Sequence, residues 1–191
     1  MEDTRKFHVK FALCGNLAVG KTSIRRNFMG LHFTRDHVST LGADFSLKKM
    51  KIGQDQLNLQ IWDMGGEDEY QQLRKKFFHG TRGALLVLSL VDRQSYLDLP
   101  NWLEELHENA PIDRTPVVFL GNKCDLDNSQ YEVNRAEIKS FIEEYVSNHN
   151  LENLNYKYFE TSAKDGINID EAFYHLAEIT LKFLDQDISS N

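Results

Sequence analysis

Nine residues near the N-terminus, GNLAVGKTS from Gly15 to Ser23, place two glycines ahead of a lysine and two hydroxyls. Gly15-x4-Gly20-Lys21-Thr22 is the full phosphate-loop (P-loop) spacing. Glycines let the backbone curl around an anion and aim several N–H groups inward. Lys21 then bridges the outer phosphates as a point charge, and Thr22 offers its hydroxyl to Mg²⁺. A helix opening at this point adds a favourable partial positive charge. Two later clusters speak to the base: Asn122-Lys123-Cys124-Asp125 and Thr161-Ser162-Ala163-Lys164. A carboxylate at Asp125 can accept two hydrogen bonds from guanine N1–H and its 2-amino group. Adenine has neither donor there, and a buried carboxylate left unsatisfied beside it costs several kcal/mol. The Ala163 N–H is then expected to donate to guanine O6. The stems of Lys123 and Lys164 are expected to lie along the base faces.

These clusters need strands to deliver them. Phe7, Val9, Phe11 and Leu13 alternate, as in a strand running into the glycine loop, and a helix is expected to open near Thr22. FSLKKMKI (Phe45 to Ile52) and LNLQIW (Leu57 to Trp62) read as strands, and the turn-rich GQDQ between them predicts an antiparallel hairpin. ALLVLSL (Ala84 to Leu90) and VVFLG (Val117 to Gly121) are short continuous apolar runs, as in strands buried on both faces. YKYFE, Tyr156 to Glu160, reads as a sixth strand. Leu99, Trp102, Leu103 and Leu106 mark a helix that begins or bends at Pro100. Ile138, Phe141, Ile142, Tyr145 and Val146 mark another, with Asn134 and Glu137 as its start signal. Ile169, Ala172, Phe173, Leu176, Ile179 and Phe183 form the last amphipathic face. Strand alternating with helix implies an α/β fold with a mostly parallel, doubly wound sheet and ligands at the strands' carboxyl ends.

The chain has 191 residues and reads as one domain over 6–185, between tails at 1–5 and 186–191. A hydrophobic fraction of 41% suffices for a sizeable core. The net charge of −7 argues against a nucleic-acid partner, which would need a basic face, but not against a small anion. Cys14 and Cys124 lack metal-ligand spacing and read as free thiols in a reducing compartment. No apolar run reaches membrane-spanning length, MEDTRKF is not a signal peptide, and FLDQDISSN carries no cysteine to prenylate. A cytoplasmic protein with no direct lipid anchor is expected.

GNLAVGKTS, STLGADF (Ser39 to Phe45), WDMGGE (Trp62 to Glu67), GNKCD (Gly121 to Asp125) and TSAK (Thr161 to Lys164) together carry a resemblance. From about Lys6 to Asp185 the chain resembles the small GTPases of the Ras superfamily, nearest in flavour to the Rab and Ras branches. The resemblance implies a P-loop G domain of six strands and about five helices, binding GTP or GDP with Mg²⁺. Two switches near 33–46 and 63–80 are implied to sense the γ-phosphate. It also implies nucleotide contacts from Gly15, Ala18, Val19, Gly20, Lys21, Thr22, Ser23, Phe33, Thr40, Gly66, Asn122, Lys123, Asp125, Ser162, Ala163 and Lys164. Thr22 and Thr40 would ligate Mg²⁺ directly and Asp63 through a water. Phe33 matches the aromatic that packs on the guanine edge, with core packing as its alternative. Thr40 and Gly66 would meet the γ-phosphate with backbone N–H groups, contacts that vanish on hydrolysis and release the switches. Lys21, Thr40, Gly66 and Glu67 form the implied catalytic set.

Two positions depart from the family pattern. Glu67 stands where the family carries the glutamine that orients the attacking water. An amide both accepts and donates, whereas a carboxylate only accepts. Its charge either raises the barrier beside the γ-phosphate or, if basic enough, lets it take the proton. Leu17 lies where a glycine or other small residue usually faces the γ-phosphate, and its branched side chain crowds that space. The doubled glycine, Gly65-Gly66, resembles the Arf branch at this one spot. The expectation is a monomeric GTP-binding switch with slow intrinsic hydrolysis, served by effector, exchange-factor and GTPase-activating proteins. The alternative is a non-catalytic guanine-nucleotide module that scaffolds a partner. An ATP-using P-loop kinase is disfavoured by Asp125. Phe45, Trp62, Tyr70 and Leu73, in or beside the switches, either form an effector face or pack inward.

Overall fold

A computed structural model describes residues 4–31, 40–151 and 156–189. The strands are β1 (Lys6–Cys14), β2 (Ala43–Ile52), β3 (Asp55–Met64), β4 (Gly83–Ser89), β5 (Val117–Asn122) and β6 (Lys157–Thr161). They form one sheet in the order β2-β3-β1-β4-β5-β6. Only β2 and β3 pair antiparallel; the other neighbours are parallel. The hairpin turn is tighter than GQDQ suggested. Ile52 pairs with Asp55, so Gly53 and Gln54 alone turn the chain while Asp55 and Gln56 continue the strand. Gly53 has φ +57°, and a two-residue turn of this hand matches the twist of the flanking strands.

Residues of β1 alternate between two cores because successive side chains point to opposite faces. Val9, Phe11 and Leu13 join Leu85, Val87, Val118 and Leu120 on one face. There they pack against α1 (Lys21–Phe28) and α6 (Ile169–Ser189), with Phe28 stacked on Phe173 at 3.8 Å between ring centroids. Ala12 and Cys14 join Ala84, Leu86, Leu88 and Phe119 on the other face. That face is covered by α2 (Gln71–Phe78), α4 (Leu99–Asn109) and α5 (Arg135–His149). All of β4 and β5 is buried, as their continuous apolar runs require. Both cysteines are free thiols.

Six α-helices occur among the described residues, in keeping with the expected count of about five. The addition is α3 (Arg93–Leu97), a short helix capped by the Asp92 carboxylate, which accepts from the Gln94 and Ser95 N–H groups. Asp98 separates it from α4, whose first turn holds Pro100, where a missing N–H breaks no intrahelical bond. At α5 the capping box forms as read: Asn134 Oδ1 accepts from Glu137 N at 3.0 Å and Glu137 Oε2 accepts from Asn134 N at 3.1 Å. α6 runs to Ser189, past the boundary placed at 185. No helix of the described residues is long and apolar enough to cross a membrane. The carboxyl ends of β1, β3, β5 and β6 deliver the motif loops to one edge. The P-loop leaves β1 at the point where the chain order diverges to either side, the position where open α/β sheets bind ligands.

Candidate functional site

The P-loop is shaped by close approaches that only glycine allows. Gly15 has φ +133°, and a Cβ there would lie 2.1 Å from the Val87 carbonyl oxygen. Gly20 has φ +106°, and its Cβ would meet Asn122 Nδ2 at 2.2 Å. Ala18 also takes a left-handed φ of +61°, which turns the loop amides inward in the manner of an anion nest. Lys21 opens α1 and folds back over the loop, donating to the carbonyls of Gly15 and Asn16 at 2.6 Å each. Burial lowers its pKa to about 8, against the pull of Asp63. Val19 is buried and Ser23 lies in the first turn of α1.

Three residues assigned to a metal meet beside this loop. Thr22 Oγ1 donates to Asp63 Oδ2 at 2.6 Å and lies 3.0 Å from Thr40 Oγ1. Asp63, the penultimate residue of β3, is fully buried, and its Oδ1 has no hydrogen-bond partner. Desolvation pushes its carboxyl up. A half-satisfied buried carboxylate flanked by two hydroxyls is a donor set suited to a hard divalent cation. No cluster of three His, Cys, Asp or Glu converges among the described residues. A metal here would therefore complete its shell with phosphate oxygens and water, as Mg²⁺ does.

At the base end, Asn122 is buried and joins three loops. Its Nδ2 donates to the Val19 carbonyl at 2.8 Å, while Oδ1 accepts from Ala163 N at 3.1 Å and Thr161 Oγ1 at 3.3 Å. The β5–β6 register, which sets Asn122 opposite Thr161, makes this possible. The Ala163 N–H is thus not free for a base oxygen as expected; guanine O6 would have to share it with Asn122. Asp125 Oδ1 accepts from Ser162 Oγ at 2.7 Å, and Lys164 Nζ lies 3.7 Å from Oδ2. Lys123 adopts φ +71° and is half-buried, which lowers its pKa.

The doubled glycine has a separate reason at each position. A Cβ on Gly65 would press on the Thr40 carbonyl oxygen at 2.8 Å and the Tyr70 ring at 2.9 Å; its N–H donates to the Gly42 carbonyl at 2.7 Å. A Cβ on Gly66 would lie 2.4 Å from the Leu17 nitrogen. Leu17 and Glu67 line the same cleft, of about 810 Å³, between the P-loop, α2 and α4. Leu17 is half-exposed, whereas Glu67 Oε2 is buried without a partner.

Sequence reading missed the support behind this end. Arg74 pairs with Glu105 through two hydrogen bonds of 2.8 and 2.9 Å, both residues being buried. Its Nη1 also donates to the carbonyls of Gly65 at 3.0 Å and Glu67 at 2.6 Å. The guanidinium lies over Trp102 at 4.5 Å, and Trp102 Nε1 donates to Asn16 Oδ1 at 2.7 Å. Asn16 in turn donates to Asp98 Oδ2 at 2.6 Å. These partners are far apart in sequence and carry no shared periodicity. Phe33 lies outside the described residues. Of the apolar residues beside the switches, Phe45 and Leu73 face outward, while Trp62 and Tyr70 are partly buried. Phe45 stacks on Trp62 at 5.2 Å, and Trp62 tilts against Phe77 at 5.0 Å.

Comparison with known proteins agrees with this geometry. A family model described as the Ras family matches residues 10–182. Ras-related protein Rab-13 of Mesocricetus auratus is 33% identical over 176 residues, covering 91% of this chain and 80% of that protein. Ras-related protein RABG3c of Arabidopsis thaliana is 37% identical over 186 residues, covering 95% and 86%. The Ypt/Rab-type GTPase ypt7 of Schizosaccharomyces pombe is 31% identical over 190 residues, covering 98% and 89%. With a P-loop, a buried metal-type carboxylate and an Asn-Lys-Cys-Asp loop on one sheet edge, the chain belongs to the Ras family, as a small GTPase of the Rab/Ras-like branch.

Proposed function

We propose that the protein is a switch that cycles between GTP and GDP forms and hydrolyses GTP slowly. The observation that carries this reading is the convergence of Thr22, Thr40 and Asp63 beside Lys21, with Gly66 lodged against the P-loop. The loop amides and Lys21 hold the phosphates, and Asp125 reads the guanine edge. Thr22, Thr40 and Asp63 would hold Mg²⁺, which would supply positive charge against the outer phosphates. The Thr40 and Gly66 N–H groups sense the γ-phosphate. Without a γ-phosphate that pairing would have no use, so the scaffold reading is not favoured.

Slow hydrolysis follows from Glu67 and Leu17, which share one cleft beside the P-loop. A carboxylate at Glu67 cannot donate to the developing charge and repels it. Single-turnover hydrolysis by Glu67→Gln is expected to run at least about tenfold faster, roughly 1.4 kcal/mol of barrier. An equal or slower rate overturns the repulsion account. Effectors would read the exposed face around Phe45, Trp62 and Leu73, with exchange and activating proteins acting at the switches. The protein would act as a monomer, without nucleic acid, in the cytoplasm.

A further inference from the structure

Arg25 lies one helical turn beyond Thr22 on α1, so the two side chains share a face. Its guanidinium is held on the far side by β2: Nη1 donates to Ser46 Oγ and Nη2 to Asp44 Oδ2, both at 2.6 Å. Asp44 is the cross-strand partner of Asp63 in the β2–β3 pairing. The Arg25 Nε is buried without a hydrogen-bond partner and lies 3.5 Å from Asp63 Oδ2. The guanidinium is carried on a regular helix and anchored on β2, where Asp44 and Ser46 fall at the end of the first-switch range 33–46. The helix and the β2–β3 pairing hold this positive charge beside Asp63.

We propose that Arg25 is an electrostatic positioning residue that weakens Mg²⁺ at this site and stabilises the metal-free state, easing nucleotide release. This rests on the GTP/GDP-binding reading above. A fixed cation beside the metal carboxylate repels a divalent ion. When the ion departs, the same cation keeps Asp63 from standing as an uncompensated buried anion. Asp44 sets the strength of the effect. Its carboxylate partly neutralises Arg25, but at 58% side-chain exposure it is screened by water. The Lys21 ammonium also acts on Asp63, but it has phosphate to bind.

The test loads the full chain with a fluorescent GDP analogue and follows its release across buffered free Mg²⁺. Arg25→Met keeps the apolar stem and is expected to lower the Mg²⁺ concentration that half-blocks release by at least about fivefold. Asp44→Asn removes the counter-charge and is expected to raise it about threefold. Opposite shifts support the proposal, because a packing defect would move both variants the same way. An unchanged or raised midpoint in Arg25→Met overturns it. If Arg25→Met loses its cooperative melt, Asp44→Asn decides alone: an upward shift supports and no shift overturns. A chain that takes up no fluorescent GDP refutes the nucleotide reading, a result distinct from either.

Discussion

At the base end of the site, Asn122, Asp125 and Ser162 already have partners, most of them supplied by one another's loops. At the phosphate end, Asp63 Oδ1, Glu67 Oε2 and Arg25 Nε are buried with none. Buried polar groups are normally satisfied, so these three, close to the P-loop, are suited to an arriving charged ligand. In the proposed reading the first end, already cross-linked by its own loops, would read the base. In the same reading the second would be completed by phosphate and cation, and so would be the end that reports which nucleotide is present. The Arg74–Glu105 pair, with Trp102 and Asn16, fixes that responsive end to α4 from behind.

The sharpest way to break this contrast is to cut the support behind the phosphate end. Arg74→Ala leaves Glu105 as a buried unpaired carboxylate, and urea unfolding should show a loss of about 3–5 kcal/mol. The double variant Arg74→Met/Glu105→Leu should recover most of it, since neither charge is then stranded. A loss under about 1 kcal/mol in Arg74→Ala would mean that the second switch is anchored elsewhere. At the base end, Asp125→Ala should weaken GDP binding by calorimetry about a hundredfold, roughly 2.7 kcal/mol. It should leave the Mg²⁺ dependence of release in place. A Mg²⁺ midpoint that shifts with it would show that the two ends are not separate.

The smallest effect concerns pH. The free protein holds Lys21 at about pKa 8, below its ordinary 10.5, chiefly because burial disfavours the charge. Phosphate favours that charge, so GDP binding above about pH 8 must take up a proton. Affinity should fall about tenfold from pH 7 to pH 9, with proton uptake visible as a buffer-dependent binding enthalpy at pH 9. The same shift has the opposite consequence for the nucleotide-free fold. Between about 8 and 10.5 the unfolded chain binds more protons at this lysine, so its contribution to stability rises with pH. A flat affinity profile would remove Lys21 from the phosphate end.

Much of the fold was legible because strands and helices announce themselves by local period. The runs at Ala84 and Val117, the capping box at Asn134 and the helix start at Pro100 are each contained in a few neighbouring residues. Helix α3 was not legible, since a five-residue helix carries too little periodicity to stand out. The extent of the hairpin turn was misjudged because polar Asp55 and Gln56 look like turn residues until pairing claims them. Within the site, the P-loop and Asn122–Asp125 were readable as contiguous motifs. Arg25 left a signal that went unused: three residues after Thr22 on a helix, it had to share that residue's face.

Sequence alone determined which chemical groups are present and in what local order: a glycine turn of P-loop spacing, a carboxylate closing an Asn-Lys-Cys-Asp run, a glutamate where an amide is usual. Tertiary structure alone decided which groups meet. Arg74 finds Glu105, Asn122 takes the Ala163 N–H, and Arg25 comes within 3.5 Å of Asp63 only because parallel strand register and helix packing bring distant segments together. The physical reason is that hydrogen bonds and ion pairs act over a few ångströms in space, whereas a motif records proximity only along the chain.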